Sequence, residues 1–408
     1  MEENIEVKKN KALSSIKIIP WFQGFSNDLM FYIAINTLFL TTVKNLTASQ
    51  ISFLTTISCL CYILLQKPFL EITKKISNIK SVRIGTIILL LGSIIITFGK
   101  SYYILMLGQV LYTISLLFKI MDNVILKNNL EYLDKNDEYI KYKNKSSIIY
   151  SSVTMIIALF AGKLFNINYY LPMYLCIAVC ALNVLVSFRL TEEKKENIID
   201  KTENNKKIGF SKIIFIIMIS YGIFYATIQT GQANSKLFIQ YELEKHFDIG
   251  LTATYFSYIL VASRASRVLG NIIFKKIYHR VKDKTGYGLA ILCGIAFFLI
   301  ILSSLISVLL LKLILMVFGF CIILGIRDVF SNYTQDLLLR NLKPSEQQSG
   351  ISYLGLSRKI GETSMSFIFS MMLLKLDIIY VIIALLALAC ISFAINYKLY
   401  MMVQKENI

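Results

Sequence analysis

The chain has 408 residues, 56% of them hydrophobic and 17% charged, with a formal net charge of +18. That apolar fraction exceeds what a soluble core needs, and the charged residues gather in short runs between apolar stretches of about 20 residues, the length of a helix that crosses a bilayer. About twelve such stretches leave no room for a soluble domain of ordinary size. The positive charge sits at the ends of apolar stretches rather than along one solvated face, which argues against a nucleic-acid partner.

The N-terminus, Met1–Lys17, is basic, and no small-residue cleavage site follows it, so no removable leader is expected. The apolar spans then run 18–42, 50–70, 82–99, 102–126, 146–165, 169–189, 212–236, 251–274, 285–305, 308–330, 349–372 and 379–402. Each must satisfy its own backbone in hydrocarbon, so each is expected to be a helix; a barrel would show alternating segments of about ten residues. The fold class is therefore all-α integral membrane, with twelve transmembrane helices. With the N-terminus placed inside, lysines and arginines collect on the inner segments, such as Lys8–Lys17, Lys74–Arg83, Lys127–Lys145, Arg189–Lys212 and Lys275–Lys284. Outer segments hold little beyond Lys44, Lys100, Lys163, Lys245 and Lys375. The positive-inside rule then puts both termini in the cytoplasm of a multi-pass protein of the plasma membrane.

The longest polar stretch, 191–211, reads TEEKKENIIDKTENNKKIGFS and is expected to be a solvated linker. It separates a first six-helix bundle, 1–190, from a second, 212–408. The two halves share motifs in order. Phe31–Thr37 matches Phe224–Thr230. Lys74-Lys75-Ile76, followed by Arg83 and Gly85, matches Lys275-Lys276-Ile277, followed by Lys284 and Gly286. Spans four and ten each end on an acid beside a cation, Asp122 with Lys119 and Asp328 with Arg327. Repeated halves are a transporter signature.

Spans three, six, nine and twelve carry no charge in their apolar centres, whereas the other eight hold the strongly polar intramembrane groups. Asp28 and Asn36 lie in span one, Gln66 in two, and Lys119, Asp122 and Asn123 in four. Gln229 and Gln232 lie in seven, Arg264 and Arg267 in eight, Arg327 and Asp328 in ten, and Arg358, Lys359 and Glu362 in eleven. A charge at the bilayer centre costs at least about 2.5–3.5 kcal/mol, so these groups face a wet interior. Several have structural readings beside the functional one. Arg358 with Glu362 at i,i+4 is an internal ion pair that leaves Lys359 over, Lys119 and Asp122 neutralise one another, and Arg267 snorkels to the interface. Gln229, Gln232 and Asn36 serve equally as cavity lining or helix–helix glue. Asp28 has no basic partner on its own helix; such a carboxylate suits a proton carrier, with Glu362 the other coupling candidate, and equally suits an ion pair with Arg264, Arg358 or Lys359 of the second half.

This layout resembles the major facilitator superfamily of secondary transporters, over nearly the whole chain. The resemblance implies two six-helix bundles, with helices three, six, nine and twelve outside a central cavity. The loop motifs are eroded. Lys74 and Lys75 stand where the family carries Asp-Arg, Ser77 replaces a glycine, and the second copy keeps Gly270 but has His279-Arg280 for Asp-Arg. Gln109 follows Gly108 where an arginine is usual, and Ser146–Phe165 lacks the glycine-proline motif of proton-driven drug exporters. What the resemblance implies is alternating access for a small-molecule substrate, coupled to H+, with export favoured on family breadth. Nutrient or organic-anion uptake by symport, and a transport-dead sensor on the same fold, are the alternatives. The inner helices of the second half place Arg264, Arg267, Arg327, Arg358 and Lys359 against Asp328 and Glu362, which favours an anionic or zwitterionic solute. No enzyme, cofactor or metal site is expected. The cysteines all fall inside apolar spans, and the two histidines, His246 and His279, lie outside them. The protein is expected to be a monomer in the bilayer.

Overall fold

A computed structural model describes residues 2–135, 138–193, 212–342 and 347–406. The chain divides into two compact units, Met1–Lys44 with Cys61–Thr202, and Asn45–Leu60 with Glu203–Ile408. Among the described residues the structure consists of helices and their connections.

The helices are α1 (Glu2–Ser26), α2 (Met30–Leu38, continued by a π turn over Phe39–Val43), α3 (Ala48–Lys75), α4 (Asn78–Phe98), α5 (Tyr102–Lys119), α6 (Asp122–Tyr132), α7 (Tyr139–Ile167) and α8 (Leu171–Ser187). They continue with α9 (Lys212–Glu244), α10 (Ile249–Val281), α11 (Thr285–Ser304), α12 (Leu309–Arg340), α13 (Gln347–Met372) and α14 (Ile378–Glu406). All twelve expected spans lie on helix, so the protein is an all-α membrane protein of twelve spans. Local sequence sets many of the starts. The hydroxyls of Ser77 and Ser101 cap α4 and α5, the carboxylate of Asp248 caps α10, and Pro172 opens α8. Among the described residues eight helices are long and apolar enough by themselves to cross a membrane, and α8 is a shorter apolar one. The other three spans, α1–α2, α10 and α13, are those that carry Asp28, the Arg264–Arg267 pair and the Arg358–Glu362 group.

Two spans differ from the expectation of unbroken helices. Span one stops at Ser26 and restarts at Met30, because Asn27 and Asp28 compete for backbone hydrogen bonds and Pro20 already weakens the helix before them. Span four is interrupted at Ile120–Met121, where the Asn123 N–H bonds the Ile120 carbonyl three residues back. Helix α1 also begins far before residue 18. The apolar stripe Ile16, Ile19 and Phe22 packs with Val82, Ile125, Leu126, Leu130 and Leu190, which extends the helix beyond the apolar span.

The first residues of the expected linker, 191–193, are partly exposed and held by hydrogen bonds. The Thr191 carbonyl accepts from Ser15 Oγ and Asn129 Nδ2, both at 2.8 Å, and Glu192 Oε1 accepts from Asn128 Nδ2 at 2.7 Å and from Asn78 Nδ2. Residues 194–211 and Lys343 lie outside the described residues, as do the side chains of Lys74, Lys275 and His279.

In the first unit α4 packs on α5 and α8, and in the second α11 packs on α12 and α14. Close helix contact in the second unit depends on glycine. A Cβ on Gly361 of α13 would collide with the Gly222 carbonyl of α9, and one on Gly270 of α10 with the Gly325 carbonyl of α12. These contacts bring α13 and α10 to the depth at which their charged residues meet α9 and α12. Accordingly, Gly361→Leu should lower stability by about 1–3 kcal/mol through overpacking. Gly355→Ala on the same helix, where an added Cβ meets nothing within 4 Å, should be neutral. Thermal unfolding of the purified protein in detergent distinguishes the two.

Candidate transport site

In the first unit the break in span one is where polar chemistry concentrates. A helix that ends inside hydrocarbon leaves carbonyls without partners. The Phe25 carbonyl accepts from Asn183 Nδ2 of α8 at 3.0 Å, and the Ser26 carbonyl accepts from the ammonium of Lys119, the last residue of α5. The amide of Gln23 donates to Asn123 Oδ1 at 3.1 Å, and Lys143 of α7 donates to the same oxygen. The interruptions of spans one and four are thereby tied to one another. Lys119 is buried, and its bond is to backbone rather than to Asp122, which is also buried and opens α6. An acid at the first turn of a helix and a base at the last turn both suit the helix dipole.

Asp28 sits between the two halves of span one and is half-buried. Its Oδ1 accepts from the Tyr112 hydroxyl at 2.6 Å and from the Leu29 N–H at 2.9 Å, and its Oδ2 accepts from the Tyr150 hydroxyl at 3.3 Å. Neutral donors from α5, α7 and the restart of span one therefore hold this carboxylate. Close by, Gln109 Nε2 donates to the buried Tyr32 hydroxyl at 2.9 Å, which gives a role to the glutamine found where an arginine was expected. Asn36 Oδ1 accepts from the Thr37 N–H at 2.9 Å, and Asn36 lies in the unwinding run that ends in the π turn.

In the second unit Asp328 and Glu362 are each shared between two cations. Arg267 on α10 pairs with Asp328 Oδ2, and Arg327 approaches Asp328 Oδ1 at 3.4 Å. The Arg327 Nη1 donates to Gln232 Oε1 of α9 at 2.8 Å. Arg267 thus crosses to α12 rather than snorkelling. On α13, Glu362 takes Arg358 Nε on Oε1 at 3.2 Å and Lys359 Nζ on Oε2 at 2.7 Å, so Lys359 is not left over from the pair. The Cys59 thiol lies 3.6 Å from Glu362 Oε2, and the Arg358 guanidinium stacks 4.9 Å from the centre of the Tyr225 ring. Tyr221, Tyr225, Gln229, Gln232 and Lys236 recur at helical spacing along one side of α9. Arg358 meets that side at Tyr225, and Arg327 meets it at Gln232.

Several functional groups were not singled out from the sequence. Lys236 is buried with its ammonium 5.5 Å from the Phe256 ring, and Glu242 bonds Lys312 of α12 and Lys245. Tyr112, Tyr150 and Asn183 were hidden because phenols and a lone amide are ordinary in apolar spans, and their partner is a helix break that only the coordinates display. Among the described residues no group of three or more His, Cys, Asp or Glu side chains is placed to hold a metal ion, and the seven cysteines are free.

A family model described as Major Facilitator Superfamily matches residues 21–363. The chain belongs to the major facilitator superfamily. Solved structures of the same fold include the nucleoside transporter NupG, with a TM-score of 0.69 and 14% identity, covering 98% of this chain and 99% of that one. A bacterial homologue of the iron transporter ferroportin, in an inward-facing state, gives a TM-score of 0.67 and 13% identity over 96% of this chain and 98% of that one. A bacterial homologue of the human lysosomal transporter Spinster, inward-facing and unoccupied, gives 0.68 and 13% over 98% of both chains. At these identities the likeness is one of fold. A sequence search of the curated proteins returns no match.

Because Asp328 serves two guanidiniums, Asp328→Asn should destabilise the second unit by about 1–3 kcal/mol, below the usual cost of breaking a buried pair since its side chain keeps some solvent contact. The double variant Arg267→Gln/Asp328→Asn should recover part of that loss. A double-mutant cycle read by thermal unfolding measures the coupling.

Proposed function

We propose that the protein is a secondary active transporter that moves a small organic solute by alternating access, with proton coupling through Asp28. The observation that carries this reading is the setting of that carboxylate. It stands at the gap in a discontinuous membrane helix, the kind of place where secondary transporters put their coupling sites. It is held by two tyrosine hydroxyls and one N–H. Such partners bond the carboxylate and the carboxylic acid alike, since a hydroxyl donates to the first and can accept from the second. Asp28 can therefore gain and lose a proton while keeping its hydroxyl partners.

Glu362 is the weaker candidate for the same task. Protonating it would leave both Arg358 and Lys359 without their counter-ion in a low-dielectric interior, so its charge is needed for structure. The solute is proposed to be an organic anion or zwitterion. The inner helices of the second unit present Lys236, Arg264, Arg267, Arg327, Arg358 and Lys359 against Asp328 and Glu362, a surplus of positive charge. The fold does not choose the solute, because structures described as a nucleoside transporter and as a homologue of an iron transporter share it. Export, favoured on family breadth alone, as a monomer in the plasma membrane, completes the reading, and the lysine and arginine bias of the connecting segments supports cytoplasmic termini.

In proteoliposomes with an imposed proton gradient, Asp28→Asn should abolish accumulation of solute while sparing solute–solute exchange. Glu362→Gln should instead lower thermal stability. Accumulation by Asp28→Asn at the wild-type level would remove Asp28 from the coupling scheme. Flux confined to cationic solutes would overturn the assignment of charge.

A further inference from the structure

Lys119 is buried at the junction of the two interrupted spans, yet proton transfer at Asp28 gives it no task. Its path is built into the fold. A Cβ on Gly85 of α4 would lie 2.7 Å from Lys119 Cγ, so the glycine leaves the channel along which the lysine stem runs. At the far end the ammonium bonds the Ser26 carbonyl, the last of α1. Two further oxygens of the same helix end, Ser26 Oγ and Gln23 Oε1, are buried with no hydrogen-bond partner, and the buried Asp122 begins the next helix. Carbonyl, hydroxyl and amide oxygen at the negative end of the α1 dipole, with a carboxylate across the junction, are the kinds of oxygen that transporters with broken helices offer to a coupling cation.

We propose that the Lys119 ammonium is a resident cation at this junction. It takes the place of a mobile inorganic ion between the end of α1 and the start of α6, so that the first unit needs neither sodium nor potassium. Removing the ammonium leaves a vacancy of oxygen ligands suited to a small monovalent cation. A lysine on α5 that only filled space would need neither the glycine channel nor the carbonyl at its tip.

The test compares thermal unfolding of the purified full chain in sodium, potassium, ammonium, methylammonium, tetramethylammonium and choline chlorides at one ionic strength. Wild type should melt at the same temperature in all six. Lys119→Ala should melt lower in choline chloride and recover at least half of the loss, saturably, in ammonium, methylammonium or sodium, but not in tetramethylammonium. Lys119→Met, which keeps the apolar stem in its channel, should show the same selectivity if the alanine variant does not fold. Saturable stabilisation of wild type by sodium or potassium would overturn the proposal, as would variants equally destabilised in every salt. If neither variant can be purified, the wild-type series decides alone. These melting curves do not depend on the proton-coupling scheme, so failure of Asp28→Asn to uncouple transport would leave this result standing.

Discussion

A helix that stops within hydrocarbon must find partners for its last carbonyls, and the first unit is arranged around that need. Each buried carbonyl left unmet would cost several kcal/mol. Asn183 reaches the Phe25 carbonyl and Lys119 that of Ser26, from two different helices. The break in turn frees the one residue best suited to exploit it. An aspartate inside a continuous helix would have its neighbours' N–H groups already spent, whereas Asp28 bonds the N–H of Leu29 where the helix begins again. Polar residues on α5, α7 and α8 thus serve a single discontinuity in span one.

The two units handle charge differently, and the difference follows from counting partners. In the second unit Asp328 and Glu362 each hold two cations, so these two acids are fixed as anions and lock α10 to α12 and residues along α13. In the first unit Asp28 has hydroxyl partners and Lys119 has a carbonyl partner. Ionic links of the first kind make rigid struts. Hydroxyl contacts such as those of Asp28 tolerate a change of protonation. Glycines at helix crossings set the distances in both units, whether by letting α13 approach α9 or by clearing space for a lysine stem beside α4.

Much of this could be read in the letters. Span positions, the doubled halves and the restriction of charge to eight spans all come from hydropathy and periodicity, which are strong in a chain so apolar. Pairings that cross between helices were not legible, because spacing along the chain says nothing of the partner opposite. From spacing alone Arg267 reads as snorkelling to the interface, and only the structure places Asp328 beside it. Lys359 looked surplus because i,i+4 spacing suggested one partner for Glu362, while i,i+3 serves equally well. The breaks were missed for a different reason. Asn27-Asp28 and Ile120-Met121 are short interruptions within long apolar runs, and a hydropathy average passes over them. Tyr112 and Tyr150 count as apolar by composition, although their hydroxyls decide the environment of Asp28.

The gap in span one also bears on how the protein reaches its membrane. A segment with Asn27 and Asp28 near its middle partitions into lipid less readily than α4 or α5, by roughly 3 kcal/mol for the aspartate alone. The groups that make this segment comfortable, Tyr112, Lys119, Tyr150 and Asn183, are all synthesised later. Insertion of the first segment is then completed by residues that leave the ribosome after it, so biogenesis of this half proceeds as a cooperative assembly rather than one helix at a time.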